Sequence, residues 1–173
     1  GSFEDKIVVK VEVAEDNNIV WDDFRETATW ELEGSPTSFN PLLSVPEDEN
    51  TPVTLTFTYG SGRNKFVQLS KDSLLYSLPD KIRIPFTSDV AFEKVIVMLR
   101  ANNSSTTKQV TFLTPTRGEE NVLEIDVKET FGSDVAIFPL LFKALKFVPS
   151  SDNAKGECYV TLPGIIEVFS DEA

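Results

Sequence analysis

The sequence predicts an all-β domain of two packed antiparallel sheets, and three observations carry that prediction. The run Val53-Thr54-Leu55-Thr56-Phe57-Thr58-Tyr59 alternates strictly, with the apolar residues on one side and the threonines on the other. A period of two is a strand with one buried face. Similar short runs recur along the chain, punctuated by Pro, Gly, Asn, Asp and Ser, as in a sandwich or barrel. No long segment of helical period separates them, which argues against an α/β arrangement.

Taken in order, Lys6 to Val13 is strand-like and Glu15 to Asn18 is a polar turn. Residues 1–18 therefore hold either a first strand or the end of a linker, preceded by a Gly1-Ser2 pair that reads as the scar of a cleaved tag, and the sandwich proper spans 19–173. Val20 to Phe24 and Ala28 to Leu32 read as two short strands. Gly34 to Asn50, with Pro36, Pro41, Pro46 and the acidic Glu47-Asp48-Glu49, reads as an irregular surface connection. After Val53 to Tyr59, the Gly60-Ser61-Gly62-Arg63-Asn64 segment is expected to turn a hairpin, with Lys65 to Leu69 returning as its partner. Leu74 to Leu78 is too short to assign. Lys81 to Phe86 alternates, and Lys94 to Arg100 is nearly continuous apolar, as a central strand covered on both faces would be. Ala101 to Thr107 is a polar turn before Lys108 to Leu113. Glu120 to Val127, Leu141 to Val148, Glu157 to Leu162 and Gly164 to Phe169 complete about eleven to twelve strands, enough for two sheets with Greek-key or jelly-roll connections.

The 173 residues suit one domain able to bury roughly 70% of its unfolded surface, with no need of a disulfide or metal to fold. Thirteen Phe against two Trp and three Tyr point to a large apolar core. The net charge of -12 would repel a phosphate backbone, which excludes nucleic acid as a partner. No apolar stretch approaches the ~20 residues that span a bilayer, so membrane insertion of this domain is not expected. Cys158 is alone, which removes internal disulfides and Cys-x-x-Cys chemistry and makes it a small buried hydrophobe. The chain has no histidine, so Ser-His-Asp and Cys-His machinery and most zinc sites are absent. A glycosidase or lyase would have to work with carboxylates alone, in a cleft holding two close acids. Asp22, Asp23, Glu47, Asp126 and Glu167 form no distinctive motif for that task. Gly60-Ser61-Gly62 leads into strand-like sequence and lacks the helix N-terminus of a phosphate loop.

The order of segments resembles the galactose-binding-like jelly-roll carbohydrate-binding modules that accompany secreted bacterial carbohydrate-active enzymes. Asp22-Asp23-Phe24-Arg25 and Trp30 stand where such modules have an Asp-Phe-Glu strand followed by a Trp strand, and Val53 to Tyr59 resembles their leucine-x-tyrosine-x-phenylalanine strand. Leu78-Pro79-Asp80-Lys81 matches their Leu-Pro entry, Val95 to Asn102 a later strand, Phe138-Pro139 an aromatic-proline step, and Gly164-Ile165-Ile166 the closing strand. Two features depart from the pattern. The end reads Glu167-Val168-Phe169 in place of Ile-Asp-Asp-Ile, and no tryptophan precedes Val122 to Val127.

The resemblance implies a noncatalytic module, secreted, periplasmic or at the cell surface, whose partner is a polysaccharide or oligosaccharide and which sits beside an adjoining enzyme domain or surface protein. Sugar binding needs flat aromatic faces for the pyranose C–H groups and polar side chains for the hydroxyls. Trp30, Tyr59 and Tyr76 are the candidate platforms. Gln68, Arg83, Arg100 and Gln109 on strands, with Arg63 and Asn64 in the turn, are the candidate polar partners. No cofactor is required. A structural calcium ion of the kind these modules hold would take Asp22, Asp23 and Glu167 if the first and last strands pair. The rival reading is a structural or protein-interaction β-sandwich with no glycan, which predicts that every Trp and Tyr is buried.

Overall fold

The alternation at Val53–Tyr59 becomes strand β4, with Val53, Leu55, Phe57 and Tyr59 buried and the threonines turned outward. The computed structural model describes residues 17–169, so the predicted strand at Lys6 to Val13 lies outside the described residues. The remaining strands are β1 (Asn17–Asp22), β2 (Glu31–Ser35), β3 (Leu42–Ser44), β5 (Phe66–Leu75), β6 (Lys81–Ser88), β7 (Phe92–Arg100), β8 (Lys108–Leu113), β9 (Asn121–Asp126), β10 (Leu140–Pro149), β11 (Gly156–Leu162) and β12 (Ile165–Phe169).

They form two antiparallel sheets. The five-stranded sheet has the order β2-β5-β10-β7-β8. In the seven-stranded sheet β6 is bordered on one side by β9 and on the other by β12 and β11 end to end, which pair in turn with β1 and with β4-β3. Gly164 makes that end-to-end join: its φ is +154°, and a Cβ there would stand 3.0 Å from the Asp22 carbonyl. Successive strands mostly alternate between the sheets, and the result is a jelly-roll β-sandwich.

The core lies between the sheets. Leu32, Leu69, Leu145, Val97 and Val110 line up across the inner face of the five-stranded sheet, opposite residues such as Leu55, Ile82, Ile84 and Leu123. Phenylalanines fill the space between, with Phe147 packed on Phe86 and Phe92 at ring separations of 5.5 and 5.1 Å.

Two expectations are corrected and one element is added. The Gly60 to Asn64 segment does not close a hairpin: β4 belongs to the seven-stranded sheet and β5 to the other, so the loop crosses between layers. Gly62 takes φ +152° beside Pro36, where a Cβ would come within 2.3 Å of the proline ring. The Gly34 to Asn50 segment contains β3, three residues that add an edge to β4. A short helix, α1 (Val127–Phe131), follows β9, capped by the Asp126 carboxylate accepting from the Glu129 N–H at 3.0 Å.

Candidate functional site

Because side chains alternate along a strand, the residues between the inward ones stand in rows on the outer face of the five-stranded sheet. One row runs Glu33, Gln68, Lys146, Ile96, Thr111, and the next Glu31, Ser70, Ala144, Met98, Gln109. Beyond the second row the register breaks. Between Ser70 and Ser73 β5 has two residues where β10 has one, and β10 in turn has one more than β7. Extra residues of this kind re-aim side chains, and Lys71, Asp72 and Lys143 rise here as one wall of a groove. The groove has a volume of about 670 Å3, with Met98 and Ala144 on its floor and Glu31, Gln68, Ser70 and Gln109 around them.

Ion pairs order the wall. Asp22, brought in by the end of β1, holds Lys71 through Oδ2. Its Oδ1 accepts from the Phe24 N–H at 2.8 Å and from the Trp30 indole N–H at 3.2 Å. Lys143 lies 3.4 Å from Asp72. At the other end of the face, Lys146 sits 4.3 Å above the Phe66 ring, a cation–π contact.

The structure brings Gln68 and Gln109 together in the groove. Arg100, two residues past Met98 on a strand without a bulge, leaves the same face next to Leu141. The other predicted residues are elsewhere. Trp30 is 5% exposed, with its ring 4.9 Å from Phe24 and 5.7 Å from Phe142, so it belongs to the core. Tyr59 is 3% exposed; its hydroxyl donates to the Ser150 carbonyl at 3.1 Å and accepts from Lys65 at 3.0 Å. Neither offers a free ring face. Arg83 stands on the outer face of the seven-stranded sheet, paired with Glu124 at 2.7 Å, and this guanidinium holds the Glu124 carboxyl below the usual range. Arg63 and Asn64 are exposed in the loop between the sheets, where Asn64 borders a separate depression with Lys65, Glu93 and Lys94. Tyr76, just after β5, is 80% exposed, the one predicted platform whose ring faces water.

Asp22, Asp23 and Glu167 do not converge. Asp22 is taken up as described, Asp23 accepts from the Arg25 N–H at 3.1 Å, and Glu167 points inward from β12, in register with the buried Ile82. Among the described residues no three His, Cys, Asp or Glu side chains gather as a metal site. Glu167 is 3% exposed and its Oε1 has no partner, so desolvation raises its carboxyl above the usual range.

No protein-family model matches the sequence, and no curated protein matches it. Among solved structures, a family 11 carbohydrate-binding module of a cellulosomal cellulase of Clostridium thermocellum is similar, at 12% identity and a TM-score of 0.50, covering 90% of this chain and 95% of that one. This is the fold of a carbohydrate-binding jelly roll. Two further structures resemble it at lower scores. One is a family 61 module in complex with β-1,4-galactotriose (10% identity, TM-score 0.45, 92% and 93% covered), the other a family 29 module variant complexed with cellulohexaose (12%, 0.44, 90% and 93%).

Sequence reasoning missed Glu31, Lys71, Asp72, Met98 and Lys143. The polar run Lys71-Asp72-Ser73 interrupting an otherwise alternating strand is the signal that could have located the bulge.

Proposed function

We propose that this chain is a noncatalytic glycan-binding domain whose ligand lies in the groove of the five-stranded sheet. The groove carries the reading. It is preformed on a rigid sheet, and its volume of about 670 Å3 lies within the range of small-ligand sites. Its two amides and its charged side chains can each donate to or accept from sugar hydroxyls, while Met98 and Ala144 supply an apolar floor for ring C–H groups. The fold shared with a cellulase's carbohydrate-binding module supports the same assignment and the expectation of a secreted or cell-surface parent polypeptide.

A second reading, a protein-interaction domain, is favoured by one observation: no Trp or Tyr lines the groove. A glycan array decides between them. Retention of at least one polysaccharide supports glycan binding, and failure to retain any across plant, bacterial and animal glycans removes it.

A further inference from the structure

One cation on the groove face lacks the partner that the others have. Lys71 is held by Asp22 and Lys143 by Asp72. Arg100, in contrast, has its Nε buried without an acceptor, and no ion pair engages its guanidinium among the described residues. A buried charged donor left unpaired is costly. The chain has 28 acidic residues against 16 basic ones, yet among the described residues no carboxylate is paired with it. The position matters too: Arg100 is opposite Leu141 on β10, and Lys143, a groove residue, lies two positions along that strand.

We propose that Arg100 anchors a carboxylate of the bound glycan, so that the groove takes an acidic saccharide carrying uronate units. This rests on the glycan reading of the groove. A guanidinium presents a planar fork of donors that matches the two oxygens of a carboxylate. Gln68 and Gln109 then address hydroxyls of the neighbouring unit, whose ring covers Met98. The net charge of -12 does not forbid an anionic ligand, because screening confines repulsion from distant acids to about 8 Å at physiological salt. A sulfate ester would offer similar oxygens, and the test separates the two.

Calorimetry with tri-galacturonate, tri-glucuronate and tri-mannuronate, each beside its carboxyl-reduced form, and with a sulfated neutral trisaccharide, tests the proposal. At least one uronate is expected to bind more tightly than its reduced counterpart. Arg100→Gln should weaken that complex by about tenfold or more and change binding of the reduced sugar by less than about twofold, with Arg100→Lys between the two. The melting temperature of Arg100→Gln should not fall, since no protein partner is lost. Equal binding of every uronate and its reduced form, Arg100-dependent binding of the sulfated sugar alone, or a lowered melting temperature would each overturn the proposal while leaving the groove a glycan site. Failure of all these sugars to bind, with a neutral polysaccharide retained on the glycan array, would overturn this proposal alone, and failure on the array as well would remove the glycan reading with it.

Discussion

Replacing Asp22 by alanine should destabilise the fold by about 4 kcal/mol, and the figure follows from what the carboxylate holds. Its side chain is 8% exposed, and it accepts from the Phe24 N–H and the Trp30 indole N–H while pairing with Lys71. Truncation leaves two N–H donors without acceptors at about 1–3 kcal/mol each. It also strands an ammonium, for which breaking a buried pair costs about 3–5 kcal/mol. Lys71 is 17% exposed and can swing toward water, which reduces its share to about 2 kcal/mol, and with about 1 kcal/mol for each N–H the total is about 4 kcal/mol. At about 2–4 °C per kcal/mol for a chain of this size, the melting temperature should fall by about 8–16 °C. Asp22→Asn keeps an oxygen for the two N–H groups and loses only the charge, and should cost about 1–2 kcal/mol. Thermal unfolding followed by circular dichroism, with 1 mM CaCl2 or with EDTA, is the assay. If EDTA lowers the wild-type midpoint by several degrees and leaves Asp22→Ala unaffected, Asp22 is a metal ligand and the hydrogen-bonding role is wrong. A loss below about 1 kcal/mol in Asp22→Ala would refute it as well.

Tyr59→Phe should cost only about 1 kcal/mol, because Asn153 also donates to the Ser150 carbonyl at 3.0 Å, and it should leave glycan affinity unchanged; urea melts and calorimetry check both halves. Glu167→Gln should alter the pH dependence of stability. The folded state keeps the Glu167 proton to higher pH than the unfolded chain does, so the wild type has its full stability below the usual carboxylate range and loses part of it as pH rises through the raised value. Urea midpoints of the two proteins should therefore agree near pH 3.5 and diverge in favour of the glutamine variant by pH 8, whereas divergence in the opposite sense would show the carboxylate to be favourably paired. The Cys158 thiol, pushed up to about 11 by burial, should resist iodoacetamide at pH 8 in the folded protein and react once guanidinium unfolds it; rapid native labelling would contradict its burial.

The strand pattern was legible wherever one face is dry. Val53–Tyr59 and Lys108–Leu113 have the bounds the alternation predicts, because burying one side of a strand imposes its period directly on the residues. Which strands pair was not legible. Gly60 to Asn64 has the composition of a hairpin turn, but composition states only that the chain reverses, and tertiary packing decides whether it returns to the same sheet. The site was half legible for a related reason. Gln68 and Gln109 were found as outward polar residues on strands, while Trp30 and Tyr59 were proposed as platforms because an aromatic residue at a strand position suits a core and a ligand equally. Bulges at Lys71-Asp72 and Lys143 arise from mismatched lengths between neighbouring strands, which no single strand reveals.

Chemical-shift mapping tests the location of the ligand most directly. When the best-binding glycan is titrated into 15N-labelled protein, the largest amide shifts should fall on residues 68–72, 96–100, 107–109 and 143–146. Shifts clustered instead on β6 and β9 around Arg83, or confined to the loop at residues 60–65, would place the ligand elsewhere and contradict the groove.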